Sequence, residues 1–235
     1  MKKILFIALT TICCLCSYAQ VDGGFDLTPE KTKSNAIFVG PTIGANMTMA
    51  SGQPKSRKLF DGSGIGFAGG IAGKIRFGKA TEYSPEGTGI MGAGLEVKYA
   101  QHSVKTNGSD DLKLGYLEVP VLIQFYPLAK STALNGLLVE VGPEFAMLMS
   151  KSPEKLRLNV NEPYPGIQAV EYATGDLKGG DLRVAVGLGY TLPNMGLGIN
   201  ARYYLGTSEL SKKVLPTKLN TVELSLSWMF KVASF

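Results

Sequence analysis

Cysteine is confined to the first few positions of this chain. Cys13, Cys14 and Cys16 are its only three, and it has one histidine, His102, and one tryptophan, Trp228. All three cysteines fall inside an export signal. Lys2 and Lys3 form its charged start, residues 4–15 its apolar core, and Ser17-Tyr18-Ala19 a small-residue cleavage site before Gln20. Such a core is too short to span a membrane as a helix. Cys16 follows Leu15 rather than a small residue, which argues against a lipid-modified cysteine. The mature chain is therefore expected to be cysteine-free, which excludes a disulfide framework, a thiol nucleophile and a Cys metal site. With one histidine as well, no metal-ligand cluster remains and no cofactor is expected. Beyond the signal no apolar run approaches the ~18 residues of a membrane helix. Strong charge is lacking too. The net charge of +5 includes Lys2 and Lys3, leaving +3 for the mature chain. That is too little to suggest a nucleic-acid partner.

Alternation and glycine are abundant. Near the C-terminus Val222, Leu224, Leu226, Trp228 and Phe230 alternate with Glu223, Ser225, Ser227 and Met229. A period of two marks a strand with one apolar face. Seven further segments read the same way: 36–48, 64–77, 90–101, 114–126, 136–149, 181–192 and 196–206, with the eighth at 220–230. In 114–126, for example, Leu117, Val119, Val121, Ile123 and Phe125 oppose Tyr116, Glu118, Pro120, Leu122 and Gln124. The second face is rich in Gly and Ala with isolated charges, and the chain holds 29 glycines. A soluble sandwich or lipocalin-like barrel would carry ordinary polar surface residues there.

The expected fold is all-β: an eight-stranded antiparallel up-and-down transmembrane β-barrel, exported to the outer membrane of a Gram-negative cell and monomeric. An even strand number and strands of about 9–11 residues suit such barrels. The connections 78–89, 127–135 and 193–195 form the shorter, periplasmic set, although 78–89 is longer than ideal. The outer set is 49–63, 102–113, 150–180 and 207–219. Phe38, Phe77, Phe125, Tyr126, Tyr190, Trp228 and Phe230 are expected as an inner aromatic girdle, with Tyr99 and Tyr203 nearer the outer interface. The expected domain plan is a signal peptide at 1–19, a short periplasmic tail at 20–35 and the barrel at 36–235.

The segment Tyr116-Leu117-Glu118-Val119-Pro120-Val121-Leu122-Ile123-Gln124-Phe125-Tyr126-Pro127, followed by Gly142-Pro143-Glu144-Phe145, resembles two strands of the PorT-like outer-membrane β-barrel proteins. The similarity runs from about Ile37 to Phe230. It implies a barrel rather than an activity. Since the founding member is associated with type IX secretion, it also implies secretion or gliding machinery as a partner class.

The face turned inward carries Lys74, Arg76, Lys98, Arg183 and Arg202 together with Glu96, Glu118, Glu140, Glu144 and Glu223. Five charges of each sign suggest a neutralised, closed lumen, since eight strands leave room only for side chains. A narrow porin is the alternative. Glu140 and Glu144 lie on one strand at roughly 13 Å, too far apart for glycoside chemistry. Glu118 and Glu140, on adjacent strands, are expected to be closer. His102 is expected at the solvated outer edge of the third strand. A lipid A-modifying hydrolase could use it as a base, but Ser103 points the opposite way, so an adjacent strand would have to supply the serine. Gly64-Ile65-Gly66-Phe67-Ala68-Gly69 and Gly87-Thr88-Gly89-Ile90-Met91-Gly92 match a dinucleotide fingerprint, but neither opens a helix.

The remaining expectation is a non-enzymatic protein acting through its loops and rims. Lys55, Arg57, Lys58, Lys212, Lys213 and Lys218 in the outer loops suit either lipopolysaccharide phosphates or simple solubility. The long 150–180 loop, with Tyr164 and Tyr172 among prolines, is the expected surface for an envelope protein partner.

Overall fold

The computed structural model describes residues 35–52, 60–78, 89–108, 110–129, 131, 134–160, 168–174, 177–192, 195–211 and 217–234. The expected signal peptide and almost all of the expected tail lie outside these residues.

Among these residues eleven strands follow one another: β1 (Asn35–Ser51), β2 (Phe60–Phe77), β3 (Met91–Thr106), β4 (Leu112–Phe125), β5 (Leu137–Ser152), β6 (Lys155–Val160), β7 (Gln168–Ala173), β8 (Gly180–Thr191), β9 (Leu197–Gly206), β10 (Lys218–Trp228) and β11 (Phe230–Ser234). Nine form one antiparallel sheet in the order β10-β9-β8-β5-β4-β3-β2-β1-β11, and β1 also pairs with β10. That last pairing closes the sheet, so no barrel strand is left with two open edges. β10 and β11 are one wall strand interrupted at Met229, which gives an eight-stranded barrel. The interruption lies opposite Gly40 and Pro41, between the pairs Thr42↔Ser227 and Val39↔Phe230. Pro41 has no N–H to donate to the ladder there. The Met229 N–H instead donates to Gly196 O at 2.8 Å.

Alternation sorts the side chains as the period of two requires. On β9 every residue changes class, from exposed Leu197 to buried Gly206. The outer wall is apolar: Ile65 is 79% exposed, Ile43 64% and Ile123 60%. Such a surface is unstable in water. Each Val, Leu, Ile or Phe side chain transferred to lipid gains about 1.5–3 kcal/mol, so the belt as a whole favours the bilayer by tens of kcal/mol.

Several boundaries differ from the sequence reading. β1, β2, β3 and β5 run 16 to 18 residues, longer than a bilayer crossing needs. The wall therefore continues beyond the apolar belt on the side away from the chain termini, which in barrels of this kind is the outer side. Part of the expected 150–180 loop is a hairpin: β6 and β7 pair from Lys155↔Ala173 to Val160↔Gln168. Phe38 and Tyr126 do not join the aromatic girdle. Both are buried inside the barrel, because each shares the parity of its strand's inward residues. Phe77, Phe125, Trp228 and Phe230 do face outward, and the Trp228 and Phe230 rings lie 5.3 Å apart.

Candidate functional site

The lumen is a column of charged and polar side chains in stacked tiers, set by the register of the wall. Opposite pairs such as Lys98↔Glu118, Glu144↔Arg183 and Glu223↔Arg202 bring acids and bases to the same height. Inward glycines make the room. An added Cβ at Gly187 would lie 2.9 Å from both Arg202 Cγ and Glu140 Oε1.

The outermost polar tier holds His102. Its Nε2 is 2.7 Å from Glu118 Oε1, and its Nδ1 is 2.7 Å from Thr48 Oγ1. Thr221 Oγ1 lies 3.1 Å beyond Thr48 Oγ1. Arg183 Nη1 donates to Glu118 at 2.7 Å and to Glu144 at 3.2 Å, while its Nε donates to Asp181 at 2.7 Å. In the middle tier Lys98 Nζ donates to both oxygens of Glu223, at 2.7 and 2.9 Å, and to Tyr204 Oη at 2.8 Å. Glu118 and Glu144 lie 3.6 and 3.8 Å from the same ammonium. In the next tier Arg202 forks onto Glu96 at 2.6 and 2.7 Å and donates through Nε to Glu140. Gln124 Nε2 donates to Glu140 at 3.1 Å, and Gln124 Oε1 accepts from Tyr126 Oη at 3.0 Å. Nearest the periplasm Arg76 stacks on Tyr126 at 4.0 Å, and Lys74 donates to Thr191 at 3.2 Å above the Phe38 ring.

All ten charged residues read from the sequence as inward are buried. Hydrogen bonds and ion pairs join Lys98, Glu118, Glu144, Arg183 and Glu223 in one cluster and Glu96, Glu140 and Arg202 in a second directly below it, with Lys74 and Arg76 lower down. Asp181 and His102 were not counted among the ten. Asp181 shares the parity of Arg183, and β3 continues past 101 with His102 on the face of Lys98, so both signals were present in the alternation. With Asp181, the three upper tiers hold six carboxylates against Lys98, Arg183, Arg202 and the imidazole. Among the described residues the whole column then holds six carboxylates against five cations and the imidazole, and the excess of acid lies in the upper tiers. Glu118 and Glu140 are also not neighbours: the register sets Glu118 opposite Ala146, and Glu140 opposite Gln124.

The position of His102 is a correction. It lies inside the lumen, 1% exposed, not at a solvated edge. Thr48, His102 and Glu118 form a hydroxyl–imidazole–carboxylate line, but Thr48 is wholly buried, and Glu118 is already held by Arg183. An apolar lid lies above them. Phe60, Val104, Leu112, Leu114 and Tyr116 from the strands meet Leu156 of the hairpin and Leu210 of the last outer connection. The Lys178 N–H donates to Leu210 O at 3.0 Å, and Lys151 Nζ donates to Thr174 O at 2.8 Å, fastening the hairpin base to the mouth. Tyr164, Lys55, Arg57, Lys58, Lys212 and Lys213 lie outside the described residues. Tyr172 pairs through its backbone with Leu156, and Lys218 is exposed at the start of β10. No group of acidic, His or Cys side chains among the described residues is arranged to hold a metal ion.

A closed antiparallel barrel with a lipid-compatible wall and an ion-paired interior is an integral outer-membrane β-barrel protein. The chain belongs to the outer membrane protein beta-barrel domain family, whose model matches residues 19–211. It is similar in structure to Neisserial surface protein A (12% identity, TM-score 0.45, 84% of this chain and 100% of that one). It is also similar to OprG of Pseudomonas aeruginosa (10% identity, TM-score 0.43, 84% and 97%). The attachment invasion locus protein Ail of Yersinia pestis is another such structure (12% identity, TM-score 0.40, 83% and 99%). A comparison with curated proteins finds no match.

Proposed function

We propose that this protein is a non-enzymatic, non-conducting barrel that works by presenting its outer surface to other envelope components. The observation that carries this reading is the filled lumen. From Glu96 and Arg202 to Glu118 and Arg183 its charges are buried and bonded to one another, Lys74 and Arg76 are buried below them against polar and aromatic groups, and apolar side chains cap the outer mouth. An ion entering it would have to displace charge-assisted bonds in every tier, and breaking one buried pair costs about 3–5 kcal/mol. With the interior occupied, the contact surfaces are the outer connections and the rims. The β6–β7 hairpin is the largest of these, and the described part of its base is built into the lid.

The resemblance to PorT-like proteins makes secretion or gliding machinery the first partner class to test. Replacing residues 158–170 with a two-residue turn, while keeping Leu156 and Thr174, removes the hairpin tip and spares the lid. Crosslinking in intact cells is expected to lose its recovered partners on this change, with heat-modifiable gel migration retained. Unchanged partners, or steady single-channel conductance from the unmodified barrel in a planar bilayer, would overturn the reading.

A further inference from the structure

The outer interface of the barrel is not the same all the way round. The periplasmic rim carries outward Phe77, Phe125, Trp228 and Phe230, an ordinary interfacial girdle. At the outer edge of the belt on β3, β4 and β5 stands Tyr99, with polar groups directly above it. Above Tyr99↔Leu117 the facing pairs are Gln101↔Gly115 and Ser103↔Lys113, and β5 adds Ser150 opposite Gly115 and Ser152 opposite Lys113. Gly115 lets this surface close up. An added Cβ there would fall 2.3 Å from both Tyr99 Oη and Ser150 Oγ, so Tyr99 of β3 reaches across β4 to within 3.3 Å of Ser150 Oγ. Lys113 is exposed and is the charge nearest the apolar belt in this sector. One step further out, Lys105 is exposed with its stem over Gly62. The exposed Asp111, which precedes β4, lies beyond Lys113 on the side away from the membrane. Neither lysine has an ion-pair partner among the described residues.

We propose that this patch on β3–β5 binds the phosphorylated sugar headgroup of an outer-leaflet glycolipid. Lys113, with Lys105 behind it, takes a phosphate. Tyr99 Oη, Ser150 and Ser152 meet sugar hydroxyls, and the acyl chains lie on the apolar wall below. The physical argument is complementarity at one height: apolar residues where chains lie, hydroxyls and an aromatic where a sugar ring lies, and cations where phosphate lies. The inference is independent of the hairpin reading, because none of these residues belongs to the hairpin or to the lumen.

The test is native mass spectrometry of the full barrel released from nanodiscs containing diphosphoryl lipid A. The comparison lipids are dephosphorylated lipid A and phosphatidylglycerol, and the comparison proteins are Lys105→Gln/Lys113→Gln and Lys231→Gln. Lys231 is an exposed cation on β11, at the opposite rim from the patch. The unmodified barrel is expected to retain diphosphoryl lipid A, and the double variant to lose about thirtyfold in retention, equivalent to about 1 kcal/mol per cation. Lys231→Gln is expected to match the unmodified protein. Heat-modifiable migration shows that each variant is folded. Equal retention by the double variant, an equal loss in Lys231→Gln, or equal retention of dephosphorylated lipid A or phosphatidylglycerol would each overturn the assignment.

Discussion

Taking the charge from Arg202 tests whether the lumen network holds the barrel together. Arg202→Met keeps a stem of similar length but removes the fork onto Glu96 and the Nε–H that serves Glu140. Glu140 retains Gln124 Nε2 at 3.1 Å. Glu96 and Glu140 remain buried, now without their cation, in tiers that already hold more carboxylates than cations. Deleting one partner of a buried pair costs about 3–5 kcal/mol, and with two carboxylates stranded the upper figure applies. At a urea slope of about 2 kcal/mol/M, a loss of about 5 kcal/mol moves the unfolding midpoint down by about 2.5 M.

Trp228 is the natural probe. It is the only tryptophan, sits on the lipid-facing side of β10, and its emission shifts to the red when the wall leaves the bilayer. The decisive control adds Glu96→Gln and Glu140→Gln to Arg202→Met. Neutral amides in place of stranded carboxylates should restore more than half of the lost midpoint. An Arg202→Met midpoint within about 0.5 M of the unmodified protein, given the same slope, would show that the ion pairs contribute nothing to stability.

Gly187→Ala should cost about 1–3 kcal/mol, because its methyl has to displace Glu140 or Arg202, both bonded. Gly69→Ala, facing outward with only Thr42 O at 3.9 Å, should unfold at the unmodified midpoint in the same urea titration. His102→Ala should lower stability by about 1–3 kcal/mol, through the hydrogen-bond partners it leaves at Glu118 and Thr48, and leave the lipid A mass spectrum unchanged. A mass change in lipid A that depends on His102 would bring back the hydrolase. Leu156→Ala should destabilise by about 2–5 kcal/mol and speed proteolysis of the hairpin, with no conductance in bilayer recordings because the tiers below stay closed.

The wall was legible in the sequence because a half-buried strand repeats every two residues. Inverting the usual pattern, with apolar outside and charge inside, leaves that period intact. The ten inward charges followed from parity alone. Parity is local, however, and says nothing of height, so the tiers came only with register: Glu118 meets Arg183, 65 positions away, and not Glu140 on the next strand. His102 was misplaced because the reading ended β3 at 101, where apolar residues stop alternating with polar ones. The strand in fact continues out of the membrane to Thr106, where both faces are polar or packed under the lid. Phe38 and Tyr126 went wrong when aromatic type outweighed parity. The hairpin was hidden by the prolines around it, although Leu156, Leu158 and Val160 alternate.

The distance along the chain between charge partners bears on how the protein enters its membrane. Lys98 meets Glu223, 125 residues later, and Arg202 meets Glu96, 106 residues earlier. A sheet that has not yet joined β10 to β1 holds these groups on an open concave face, where only water can satisfy them. Turned toward lipid, each Arg or Lys near the midplane would cost about 2–4 kcal/mol. A slip of one residue in pairing would turn a strand's inward set outward. The ion pairs thus act before they exist: they penalise wrongly turned and wrongly paired sheets during assembly and reward only the ring that closes. Insertion is expected to be slow, concerted with closure, and intolerant of register error.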